Sequence, residues 1–131
     1  MSIQINSYVR NVLSLDAATS GIAGVAMIAG AGFISSLTGL PSSLLFWAGV
    51  ILLPWTALLA YFSRRSTMSR IAMIDIVAVN ALWVVASIGI LVAGLVTPNM
   101  LGVAFVIAQA AAVLLFTVLQ MGVLRSSAQP A

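Results

Sequence analysis

The groups that could do chemistry in this sequence are few. The chain has two acids, Asp16 and Asp75, five basic residues, all arginine, and neither histidine nor cysteine. Disulfides, thiolate metal sites and cysteine nucleophiles are therefore excluded, and so are the usual imidazole ligands of haem and copper. What remains is a set of neutral polar side chains spread through apolar sequence: Trp55, Asn80, Trp83, Ser87, Gln109 and Gln120. At about 100° per residue on a helix, Asn80, Trp83 and Ser87 share one stripe, whereas Asp75 lies well off it. Hydrogen bonding, and not acid–base or nucleophilic chemistry, is what such a stripe offers. No nucleophile–base pair or metal-ligand cluster is present, so the sequence predicts neither an enzyme nor a bound cofactor.

The elements that must position these groups are membrane spans. The 131 residues are 63% hydrophobic and 5% charged, with a mean hydropathy of +1.22, far from a soluble domain in which about a quarter of residues are charged. At about 20 residues per crossing, four spans nearly use up the chain. The expected fold is an all-α membrane protein, a four-transmembrane-helix bundle occupying 1–131 as a single domain, with spans near 15–37, 43–62, 71–96 and 100–124. Residues 1–13 place Ile5, Tyr8, Val9, Val12 and Leu13 at helical spacing, which suits a short N-terminal interfacial helix or, equally, a frayed tail. An N-terminal signal peptide is the other reading of Arg10 and the apolar run after it; the run is long for a signal core, so an uncleaved first span is expected.

The central stretch Arg70–Leu95 is long enough to cross a bilayer and yet carries polar groups, which marks it as an inner helix. Span one is crowded with small residues. Ser20 with Gly24, and Ala26 with Gly30, are small-x-x-x-small pairs that let helix backbones approach, and their spread around the helix predicts packing on more than one side. Asp16 stands at the expected start of span one, where it could cap the first turn. Pro54 predicts a kink in span two, and Trp47 and the Tyr61–Phe62 pair suit the membrane interfaces. Gln109 and Gln120 share a face of span four, with Ala104, Ala108 and Ala111 on another.

Arg10, Arg64, Arg65, Arg70 and Arg125 all fall on one side of a four-span chain. The positive-inside rule then predicts cytoplasmic termini, with an inner-membrane location if the source is bacterial. A nucleic-acid partner is not implied by this basic balance; the lipid bilayer, and other membrane subunits or further copies of the chain, are. Arg10/Arg70, Asp16/Asp75, Pro41/Pro98 and Arg65/Arg125 recur at an offset of about 60 residues, as a duplicated helical hairpin would produce. Shared obedience to the charge rule explains part of the echo.

Depths counted from the arginines at about 1.5 Å per residue predict three contacts: Asp75 with Gln120, Trp55 with Asn80, and Ser87 with Gln109. Such bonds either hold helices together or line a small polar cavity. Size and helix count invite comparison with the small multidrug-resistance transporters, but the first span here has no acid past Asp16. The segments LDAATSG, LTGLP, VNALWVVASIGIL and LGVAFVIAQAAAVLLFTVLQ are similar to a family of uncharacterised small bacterial four-span membrane proteins, a resemblance that implies the fold and no activity. Two functions are expected from the residues. The first is a non-catalytic protein that works by helix association, as an accessory or assembly subunit or a homo-oligomer. The second is a minimal transporter or pore for a small or apolar solute, lined by Asn80, Ser87 and Gln109.

Overall fold

The structure, a computed structural model, describes residues 2–128. Five helices follow one another: α1 (Ser7–Ala29), α2 (Ala31–Thr38), α3 (Ser42–Ser63), α4 (Arg70–Val92) and α5 (Met100–Ala128). Four of them, α1, α3, α4 and α5, are long and apolar enough to cross a membrane. The expected four-helix membrane bundle is therefore the observed fold.

The start of the chain departs from expectation. No separate interfacial helix precedes span one, because α1 already begins at Ser7, and the side chain of Asn6 caps it by accepting from the Val9 amide at 2.9 Å. Ahead of it, β1 (Ser2–Gln4) pairs antiparallel with β2 (Thr67–Ser69), bringing Ile3 opposite Met68. Both of these side chains are buried and join Ile5, Val9, Leu13, Leu59, Met73 and Ile76 in one core cluster. Ile3 and Ile5 thus lie against the loop between α3 and α4, while Val9 and Leu13 enter the core and Tyr8 stays exposed.

The far end of span one is bent instead of straight. At Gly30 (φ −107°, ψ 18°) the chain leaves regular α-geometry for one residue, and the ladder is kept by Gly30 N–H to Ala26 O and Ile34 N–H to Gly30 O, both 2.8 Å. α2 then stops at Gly39, whose φ of +75° is open to glycine at little cost. α3 remains one helix across Pro54. Asn99 opens α5 by accepting from the Gly102 amide, while its own side-chain amide donates to Leu37 O at 2.9 Å, so the two outer turns are tied together. Gly102 lies hard against the Thr38 carbonyl, where a Cβ would not fit.

Packing divides the molecule into two hairpins, α1 with α3 and α4 with α5. The first is held by close backbone approach. A Cβ at Gly49 would stand 2.7 Å from the Gly24 carbonyl and 2.9 Å from Ile28, and one at Gly24 would stand 3.1 Å from the Gly49 carbonyl. α1 and α5 also touch, as do α2 and α5, while α3 and α4 stand apart along most of their length. The apolar core is accordingly split, with one cluster at the arginine-bearing end and a second, built on Met27, Leu40, Leu45 and Val106, at the other.

The arginines do more than mark a side. Arg10 donates to Ser63 O (2.8 Å) and Arg65 O (3.1 Å), tying α1 to the carbonyl end of α3. Arg70 donates to Leu124 O at 2.9 Å, tying α4 to α5. Cations on C-terminal carbonyls satisfy acceptors the helix leaves open and meet the negative end of its dipole. Arg65 also sits over the Tyr61 ring at 5.5 Å. Arg64 and Arg125 are exposed.

Candidate functional site

The strongest polar feature joins three helices. Asp16 on α1, Asn80 on α4 and Gln120 on α5 are 3%, 3% and 0% exposed, burial that puts their bonds out of reach of competing solvent. Asn80 Nδ2 donates to Asp16 Oδ2 (3.1 Å) and to Gln120 Oε1 (2.8 Å), and Gln120 Nε2 donates to Asp16 Oδ2 (2.8 Å). The Ser20 hydroxyl approaches Asp16 Oδ1 at 3.3 Å. The result is a closed triangle in which two carboxamides share one carboxylate oxygen.

Local sequence explains why Asp16 reaches that position. Val9, Val12, Leu13, Asp16 and Ala17 are the buried residues of the first half of α1, at helical i, i+3, i+4, i+7, i+8 spacing. With the helix starting at Ser7, Asp16 lies roughly 13 Å along it, far beyond any capping role. On α4, the buried Met73, Ile76, Asn80 and Ser87 repeat the same logic.

The anticipated partners are redistributed. Asp75 is exposed and does not meet Gln120, because it lies on the outer side of α4 from Asn80. Trp55 is half-buried against the arginine-end core and makes no bond to Asn80, which turns its Nδ2 to Asp16 and Gln120. Ser87 does not reach Gln109; its hydroxyl donates back to the Trp83 carbonyl at 2.7 Å. Gln109 instead accepts from Trp83 Nε1 at 2.7 Å and donates to Val106 O at 2.9 Å. Of the small pairs on α1, Gly24 faces α3, Ser20 faces Asp16, Ala26 is exposed and Gly30 forms the bend.

Between the two core clusters lies an apolar trough of about 390 Å³. α1 and α5 form its floor with Asp16, Thr19, Ala23 and Gln109, and α3 and α4 form its walls with Trp47, Ala48, Trp83 and Ala86. A second hollow of about 420 Å³ adjoins it, with Pro54, Trp55 and Asn80 in its lining; Ser20 and Trp83 border both. Ile51 on α3 and Ala86 on α4 are exposed at the mouth, so the trough opens sideways, toward where hydrocarbon would lie. No protein-family model, curated protein or solved structure matches this chain. The site must therefore be read from its own geometry.

That geometry suits binding. Pockets for small molecules are mainly apolar with a few placed polar groups, and here the polar groups are one carboxylate, the hydroxyls of Thr19, Ser20 and Ser87, and the Trp83–Gln109 pair. The sequence pointed to Asn80, Ser87 and Gln109 as a polar lining. Ser87 and Gln109 do line the trough, and Asn80 lines the neighbouring hollow. Asp16 was missed as a lining residue because its span was placed eight residues late. Extending the Val9–Leu13 stripe by one turn would have found it.

Proposed function

We propose that this chain is a non-catalytic membrane protein that takes a small, largely apolar molecule from the bilayer into the trough between its two hairpins, as a binding protein or minimal carrier. The observation that carries this reading is the sideways opening between α3 and α4 above a floor that is polar at one end. Part of the small-residue surface of α1 supports it too: Thr19 and Ala23 line the trough. With the arginines at one end, that end is assigned to the cytoplasm.

The reporter is the Trp83 indole N–H, followed by nuclear magnetic resonance in lipid nanodiscs. tert-Butylbenzene should shift this signal saturably, and Ala86→Phe, which fills the mouth from an exposed position, should abolish the shift. No shift, or one unchanged by Ala86→Phe, contradicts the proposal.

Association with a further subunit is the second reading, and one observation favours it. Ala104, Ala108 and Ala111 form an exposed small-residue stripe on α5, and Ala26 is exposed on α1. Ala108→Leu should reduce oligomer or complex size in mild detergent if that stripe meets a protein, and should leave it unchanged if the stripe meets lipid.

A further inference from the structure

The trough holds an acid that no cation of its lining balances. Its lining includes the carboxyl of Asp16 and no arginine. Among the described residues every donor to Asp16 is neutral: the amides of Asn80 and Gln120 and the hydroxyl of Ser20. A buried carboxylate is costly unless a cation or several strong hydrogen bonds compensate it. The compensation here is lopsided. Oδ2 receives both amide bonds, whereas Oδ1 receives only the long contact from Ser20, and a carboxylate offers about four acceptor sites. Oδ1 therefore retains acceptor capacity where Ser20 borders both hollows.

The rest of the lining favours the same kind of guest. Trp47, Trp83, Phe105 and Phe116 contribute aromatic rings from α3, α4 and α5. Aromatic faces attract organic cations through the ring quadrupole, most strongly where water is excluded. The Trp83 ring is also fixed, since its N–H is held by Gln109 at 2.7 Å.

We propose that the trough binds a small hydrophobic cation, an amine or quaternary ammonium with an aromatic or alkyl body, with its charge at Asp16 and its body among the aromatic side chains. This rests on the reading of the trough as a ligand site and adds the sign of the ligand's charge. A neutral apolar guest would leave the carboxylate as it stands. An anion would be repelled by it.

The test uses two probes of the same shape, phenyltrimethylammonium and tert-butylbenzene, on the unaltered protein in zwitterionic nanodiscs, with the Trp83 indole signal as readout. The cation should bind at least about tenfold more tightly than its neutral isostere once each is corrected for partition into protein-free discs. Asp16→Asn should erase that preference and Asp16→Glu should keep it; a preference for the cation that survives Asp16→Asn overturns the inference. Equal binding of the two probes to the unaltered protein overturns the inference while the apolar-site reading stands. A Trp83 signal that responds to neither probe overturns both, and a larger particle in that case identifies a second copy as what covers the trough.

Discussion

The seam inside the first hairpin and the seam between the hairpins are built on opposite principles. Within the hairpin, α1 and α3 meet at Gly24 and Gly49, where the missing side chains let carbonyl and Cα approach to distances no Cβ would permit. Between the hairpins, the Asp16–Asn80–Gln120 triangle makes the buried polar link, the tie from Asn99 to Leu37 O sits at the far edge, and the space beside the triangle is hollow. Dispersion between smooth surfaces needs continuous contact, so small residues give a seam that is either closed or broken. Directional bonds need only one point of contact, so a polar clamp can hold two hairpins together beside a cavity. The lesson is that the small-residue face and the polar stripe, both legible as packing devices, serve different ends here: the first makes the hairpin, and the second leaves room.

The largest expected effect is on the closed seam. Gly49→Leu should prevent the hairpin from forming, and Gly49→Ala should destabilise by about 1–3 kcal/mol through overpacking, measured by denaturant unfolding in micelles. Gly89→Ala, where nothing lies within 4 Å, is the matched control and should not destabilise. Because alanine is the better helix former, a Gly49→Ala effect no worse than that of Gly89→Ala would mean that the Gly24–Gly49 approach does not govern the seam.

Next is the clamp. Asn80→Leu removes one amide from the carboxylate and one donor from Gln120, and should cost about 1.5–3 kcal/mol. Its effect should be strongly non-additive with Gln120→Leu, because both act on Asp16, and additive with Trp55→Phe, which shares no bond with it. The opposite pattern of coupling would dissolve the triangle and restore a Trp55–Asn80 contact.

These two seams also show how far the sequence could be read. Four spans, their approximate limits and the one-sided arginines follow from hydropathy and charge, which act over whole segments and tolerate small errors. The pairing of polar groups does not, because a shift of one or two residues turns a side chain to another face. Asp16 illustrates this: hydropathy starts the span at residue 15, while the Asn6 cap starts it at Ser7, and the same acid passes from helix end to bundle interior. Asp75, its counterpart under the echo, lies exposed and nearer the start of its helix than Asp16 does, so the echo predicts neither the depth nor the face. The arginine contacts with Ser63, Arg65 and Leu124 carbonyls were out of reach, since they depend on which helices adjoin.

Smaller effects sharpen the comparison at the hollow side. Trp83→Phe should cost only about 0.6–1.7 kcal/mol, the range of a single interhelical bond in a membrane, and should weaken probe binding more than it weakens the fold. Asp75→Asn, on the exposed side of α4, should change stability by no more than about 0.5 kcal/mol. A change as large as that of Asn80→Leu would show that the outer face of α4 is covered by something else.

Uptake of a ligand from the bilayer requires the trough to be open to hydrocarbon. The direct measurement is quenching of Trp83 fluorescence by lipids brominated along their acyl chains, in a Trp47→Phe, Trp55→Phe background where Trp83 is the sole tryptophan. The open trough predicts strong quenching that falls substantially when Ala86→Phe fills the mouth. Weak quenching, or quenching that Ala86→Phe leaves unchanged, would mean that α3 and α4 close against each other and that the space between the hairpins is not a site.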